Sequence, residues 1–137
     1  MSCLSLLPQY SPSKKPTRVS KKGIAWALNN LASLIGDQGE YARAISLTKE
    51  ALALFREVGD KEGIGWVLFE LAMKLFFSQD DPAKIHALLE ESLALCRELG
   101  SQENTAWALS NLGEVFLKEG DAVKARSLLE ESLMLSM

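Results

Sequence analysis

The 137 residues are 47% hydrophobic, enough for one domain with a continuous core, which excludes an intrinsically disordered chain. The formal net charge is −3, but residues 1–22 carry five cations and no acid, so the rest of the chain holds 10 basic and 18 acidic side chains. An acidic body argues against nucleic acid as a ligand, because phosphate binding needs clustered Lys and Arg side chains.

Residues 1–21 are predicted to be a basic, Pro- and Ser-rich leader that is extended or disordered, because its three prolines interrupt any helix. The leader does not resemble a secretory signal, and no stretch approaches the roughly 18 apolar residues of a membrane-spanning helix. Cys3 and Cys96 lack disulfide or metal-ligand spacing. We therefore predict a cytoplasmic protein with no membrane partner.

Three similar segments follow the leader, each marked by a tryptophan. Trp26 and Trp66 are 40 residues apart, while Trp66 and Trp107 are 41 apart. A fixed period of this size is typical of a helical solenoid, in which each unit buries its apolar face against its neighbours. The extra residue of the second interval lies between Trp66 and Glu91, most simply near residues 76–79.

The first unit, residues 22–61, is predicted to form two helices joined by a turn at 36–39. Its apolar residues recur at helical spacing, which marks one buried face on each helix. The two predicted faces comprise Ile24, Leu28, Leu31, Ala32 and Ile35 on the first helix and Ala44, Leu47, Thr48, Ala51, Leu52 and Phe55 on the second. Gly59 is predicted to end the second helix in the left-handed conformation.

The second unit, residues 62–102, and the third, residues 103–137, repeat this pattern. In the second unit Asp81 is predicted to cap a helix that starts at Pro82, and Asp80 replaces the glycine of the other two turns. The predicted faces comprise Leu68, Leu71, Ala72, Leu75, Ile85, Leu88, Leu89, Ser92, Leu93 and Cys96 in the second unit and Leu109, Leu112, Gly113, Phe116, Ala125, Leu128, Leu129, Ser132 and Leu133 in the third.

The third unit carries Leu109, Leu112, Gly113, Phe116, Gly120, Ala125, Leu129 and Ser132 at the spacing of the tetratricopeptide repeat. The chain therefore resembles that family, and its long period resembles the subgroup found in kinesin light chain and in bacterial signalling ATPases and transcription activators. The resemblance implies an all-α, right-handed α-solenoid of three helix-turn-helix repeats, about six main helices, over residues 22–137. It also implies a protein or peptide partner, but does not identify it.

In such arrays the first helix of each unit lines a concave groove. The groove residues implied here are Trp26, Asn30, Ser33, Trp66, Glu70, Met73, Trp107, Asn111 and Glu114. Asn amides can hydrogen bond to an extended peptide, and exposed Trp rings can anchor it. Alternatively, the Trp rings pack between neighbouring helices and extend the core. Related arrays that bind a peptide's terminal carboxylate use Lys and Arg at such positions; here Trp and Glu replace them, which favours a mixed apolar and basic peptide.

No constellation in the sequence supports catalysis, and we predict neither a cofactor nor a metal site. His86, the single histidine, is predicted to lie on the surface, without the neighbouring groups that nucleophilic or metal chemistry needs. Adjacent glutamates such as Glu90 and Glu91 point about 100° apart on a helix, so they form a solvated face. Cys96 corresponds to Phe55 one unit earlier and is predicted to be a small buried hydrophobic residue.

The last helix raises a second interpretation. Leu128, Met134 and Leu135 are predicted to be exposed on a repeat end that no polar capping helix covers. Our first interpretation is a non-catalytic interaction module that binds a peptide or helix in its groove, in bacterial regulation or assembly. The alternative is a structural module that self-assembles through its apolar ends, for example as a homodimer.

Overall fold

The computed structural model describes residues 20–137, so the predicted leader, apart from its last two residues, lies outside the described part of the chain. Within that part the fold contains six α-helices and no strands, which confirms the predicted all-α repeat. The helices are α1 (Lys21–Asp37), α2 (Tyr41–Val58), α3 (Lys61–Phe77), α4 (Pro82–Leu99), α5 (Gln102–Lys118) and α6 (Ala122–Ser136). Short loops make consecutive helices antiparallel neighbours.

The extra residue of the second unit lies in the loop between α3 and α4, as predicted. The helices α1, α3 and α5 all have 17 residues, while residues 78–81 form a loop one residue longer than its two counterparts. Asp81 accepts a hydrogen bond from the Ala83 amide at 3.1 Å, and Pro82 opens the helix, which confirms the predicted cap. The repeat therefore absorbs its irregularity without changing a helix.

Gln79, not Asp80, occupies the glycine position of this loop. Its φ is 60°, compared with 86° and 89° for Gly39 and Gly120. The predicted alignment was therefore wrong by one residue, because Asp80 is the inserted residue. Its carboxylate accepts a hydrogen bond of 2.6 Å from the Asp81 amide, and this bond lowers the pKa of Asp80.

The core lies between the paired helices, and most of the predicted faces contribute to it. Leu129 and Leu133 of α6, predicted on a buried face, are exposed, because within residues 20–137 α6 packs mainly against α5. In α1, Ile24 and Leu31 are also exposed, while Ala25, Asn29 and Ala32 are buried. The prediction was wrong at these two positions and right at Ala32 and Ile35, because the packing of α1 against α2 and α3 decides which side is covered. Small residues on that side let the helices approach closely, while Ile24 and Leu31 are each 38% exposed.

Ion pairs join successive units along the second helices. Arg56 on α2 lies 3.3 Å from Glu91 on α4, and Arg97 on α4 lies 2.6 Å from Glu131 on α6. These glutamates are exposed, as predicted for a solvated face. Exposed pairs of this kind contribute at most about 1 kcal/mol each, so apolar packing must hold the units together.

Candidate functional site

The three tryptophans of the predicted groove have different environments. Trp26 is half-buried and packs edge-on against Phe55, with ring centroids 4.9 Å apart. Trp66 is also half-buried, whereas Trp107 is 54% exposed. The same repeat position therefore serves the core in the first unit and faces solvent in the third.

Phe69 lies between Trp66 and Trp107 and contacts both rings. Its ring centroid is 6.0 Å from each of them, and its plane is tilted 66° to that of Trp107. The repeat pattern did not indicate Phe69, because the corresponding positions, Asn29 and Ser110, are polar in the other units. Asn29 is buried, and its side-chain oxygen has no hydrogen-bond partner in the described part of the chain.

These aromatic rings line a cavity of about 240 Å³ between α3 and α5, with α4 behind it. The interface cavity, as we call it, is lined by Glu62, Gly65, Trp66, Phe69, Ser92, Cys96, Leu99, Ser101, Asn104, Trp107 and Ala108. Only Trp66 and Trp107 among them belong to the predicted groove set. Three aromatic rings form one wall, and several polar groups lie around it.

The cavity results from a difference between two interfaces. The first interface joins the first and second units, and the second interface joins the second and third units. In the first interface the fully buried ring of Phe55 fills the space beside Trp26 and Gly63. A Cβ at Gly63 would overlap that ring, so glycine is needed where the ring passes. In the second interface the corresponding residues are Cys96 and Asn104. The thiol is much smaller than a phenyl ring, and among residues 20–137 a cavity remains beside it.

Some polar groups of the interface cavity already form hydrogen bonds with the backbone. Ser92 donates a hydrogen bond of 2.8 Å to the carbonyl oxygen of Gly65, which ties α4 to α3. Ser101 caps α5, its hydroxyl oxygen accepting from the Asn104 amide at 3.3 Å. Cys96 is buried, as predicted, and desolvation raises the pKa of its thiol. The Glu62 carboxylate and the Asn104 side chain are the groups left to meet a ligand.

Glu70 is not an unpaired acidic group in the groove. Its carboxylate lies 3.3 Å from the ammonium of Lys74, one helical turn along α3. Lys74 is buried, and its side chain passes close to Gly36 of α1. The repeat pattern did not indicate this lysine, since the corresponding residues of the other units are Leu34 and Val115. The negative charge expected at Glu70 is therefore largely compensated, because the buried ammonium of Lys74 needs an opposite charge beside it.

The other groove residues vary in accessibility. Asn30 and Glu114 are exposed, while Ser33, Met73 and Asn111 are half-buried. The side-chain amide of Asn111 already donates a hydrogen bond of 2.8 Å to the backbone carbonyl of Trp107 on its own helix, so one of its donors is occupied. Asn30 and Glu114 remain the polar groove residues with the most accessible side chains.

His86 is half-buried, so its predicted surface position was wrong. Its ring packs on Phe116 with centroids 4.4 Å apart, and Nε2 lies 2.9 Å from a carboxylate oxygen of Glu119. The two atoms lie close together, but their geometry is not that of a hydrogen bond. Residues 20–137 contain no cluster of three potential metal ligands.

The outer face of the third unit carries a second apolar groove. It is lined by Leu117, Ala122, Ala125, Arg126, Leu129, Glu130 and Leu133, with a volume of about 320 Å³. Of the residues predicted on this face, Met134 is exposed, but Leu128 and Leu135 pack against the core. Those two predictions were wrong because α6 turns both residues towards α5.

Pairs of antiparallel helices stacked at a constant period define a helical repeat protein of the α-solenoid class. The chain matches the family model of the tetratricopeptide repeat over residues 23–98 and 74–135, and it belongs to that family. No curated protein sequence matches it. Among the described helices, none combines the length and the apolar content needed to cross a bilayer.

Two solved structures have a similar fold. The TPR domain of Arabidopsis FLU superposes with a TM-score of 0.77 at 16% identity, over 84% of this chain and 96% of that one. BtubC (BKLC) from P. vanneervenii superposes with a TM-score of 0.75 at 23% identity, over 82% of this chain but 46% of its own length. The chain thus spans less than half of BtubC, and both similarities concern the fold.

Proposed function

We propose that this chain is a non-catalytic module that binds a peptide or helix of a partner protein along α1, α3 and α5. The tetratricopeptide repeat is a fold for protein–protein interaction. The observation that carries the proposal is Trp107, a large aromatic side chain 54% exposed beside an open aromatic cavity. Exposed Trp at a concave site contributes strongly to protein binding because it buries a large apolar area at a small entropic cost.

The charges beside Trp107 favour a peptide with apolar and basic residues. Glu114 is exposed on the same helix, and Glu62 lies at the interface cavity. Glu70 contributes less than the sequence suggested, because Lys74 neutralises it. A basic side chain next to an apolar anchor would meet Glu62 and Glu114, which have no ion-pair partner within residues 20–137, without displacing an existing ion pair there.

The partner is best sought by affinity capture from the source organism, with wild type beside Trp107→Ala. Leu117→Ser is the matched control, because Leu117 is 56% exposed on the same helix but lies on the outer face. We expect proteins that are captured by wild type and the control to be lost from Trp107→Ala. Equal capture by all three would contradict groove binding.

We place this interaction in bacterial regulation or assembly, in the cytoplasm. The long repeat period supports the first part of the proposal, since it resembles bacterial signalling arrays. The free thiol of Cys96 supports a reducing compartment. Expression of a tagged chain in its source organism, followed by fractionation, tests the location; recovery with an extracellular or membrane fraction would contradict it.

Self-assembly through the outer face of the third unit is the second candidate. It is supported by the apolar groove around Leu129 and by Leu133, which is 62% exposed. A symmetric homodimer would bury both copies of that face. We expect Leu133→Glu to convert a dimer to a monomer in sedimentation experiments and leave the Trp107 groove intact. A monomeric wild type at high micromolar concentration would contradict the assembly.

A further inference from the structure

We propose that the interface cavity is a specific pocket for one aromatic side chain of the partner peptide. The inference rests on the proposed groove function and adds the chemistry of the anchor residue. Its starting point is the first interface, where the protein itself places a phenyl ring, that of Phe55, in the corresponding space. The second interface keeps Trp66, the counterpart of Trp26, and has Phe69 in place of Asn29, but supplies only Cys96 from α4.

The walls of the cavity are suited to a flat ring. Trp66, Phe69 and Trp107 form a continuous aromatic surface, and aromatic pairs prefer the offset and edge-to-face arrangements that such a surface allows. The volume of about 240 Å³ is adequate, since an apolar protein cavity of roughly 150 Å³ accommodates benzene. An aliphatic side chain would fit but would gain none of the edge-to-face contacts.

The cavity opens to solvent, which favours a side chain of a bound peptide as its occupant over a side chain of this chain. Trp107 is exposed on one side of the opening, so a ring can enter from solvent. The Glu62 carboxylate lies at the same cavity and has no ion-pair partner among residues 20–137. It can accept a hydrogen bond from an indole N–H or a phenol O–H, which favours Trp or Tyr as the anchor.

The first test uses indole as the probe and the three Trp side-chain N–H resonances as reporters. We expect titration with indole to shift the signals of Trp66 and Trp107 but not that of Trp26, whose neighbouring space is filled by Phe55. Cyclohexanol, an aliphatic ring of similar size, should bind at least tenfold more weakly. Equal shifts at all three tryptophans, or equal affinity for both probes, would overturn the proposal.

The second test copies the first interface into the second. Cys96→Phe supplies the ring. Asn104→Gly removes the side chain at the position that corresponds to Gly63. We expect this filled variant to lose at least 90% of the indole-induced shift at Trp66 and Trp107. Cys96→Leu, a smaller change that fills less of the space, should lose part of the indole-induced shift. Cys96→Ser should retain the full shift. Full indole binding by both larger variants would overturn the pocket assignment.

A displayed library of random 12-residue peptides separates this inference from the proposed function. We expect wild type to enrich peptides that share an aromatic residue at one position. The filled variant should bind these peptides at least tenfold more weakly. Peptides that bind both proteins equally would overturn the aromatic pocket and leave groove binding standing. Failure to enrich any peptide would overturn the proposed function itself. Tight indole binding that leaves peptide binding unchanged would identify a pocket for free aromatic molecules and overturn the side-chain assignment.

Discussion

Replacing Phe55 with cysteine should recreate in the first interface the situation found in the second. The ring of Phe55 is 0% exposed and packs between Trp26 and Gly63. Removal of a buried Phe side chain to Ala costs about 3–5 kcal/mol, part of which is the cavity left behind. Because cysteine keeps a sulfur in place of the ring, we expect the free energy of unfolding to fall by about 3 kcal/mol.

Urea denaturation followed by circular dichroism measures this loss. With a slope of about 1–3 kcal/mol per molar urea for a small domain, the midpoint should fall by roughly 1–3 M. Phe77→Cys is the matched control, because it makes the same chemical change at a ring that is 60% exposed. The control should change stability by less than about 0.5 kcal/mol.

A loss below about 1 kcal/mol at Phe55, or one equal to that at Phe77, would refute the reasoning. It would mean that the helices of the first interface close over the missing ring. The same closure would then be expected at Cys96, and the interface cavity would not persist as a space between α3 and α5. The stability of one interface thus bears directly on the site in the other.

Further substitutions test the loop, the thiol and the groove. Gln79→Gly should stabilise the fold by about 0.5–1 kcal/mol in thermal or urea unfolding, because glycine adopts a positive φ without steric cost; a loss of stability would contradict the conformation at φ 60°. In a Cys3→Ser background, Cys96 should react with iodoacetamide more slowly than a free thiol, with a rate midpoint at higher pH, because burial raises its pKa. Since the unfolded thiol loses its proton first, stability should fall as pH rises through that range, and a normal midpoint would contradict the burial. Asn30→Ala with Asn111→Ala should weaken peptide binding without lowering the melting temperature, and unchanged affinity would argue against these amides as groove contacts.

The amino-acid sequence by itself determined the architecture of this protein. Trp26, Trp66 and Trp107 set the period, and the helix pairs and the longer loop of the second unit could all be predicted from local patterns. These features are local or periodic, because caps, turn residues and apolar spacing act within a few residues of each other. The repeat then fixes the fold, since each unit packs only against its neighbours.

Only the tertiary structure decided where this protein has an accessible site. The sequence showed that Cys96 corresponds to Phe55, but a small residue leaves a cavity only if its neighbours do not close the space. That outcome depends on Asn104, Phe69 and Trp107, which come from other helices. The buried face of α1 was likewise set by the helices beside it. Burial is a property of facing surfaces, so a pattern along one helix cannot determine it alone.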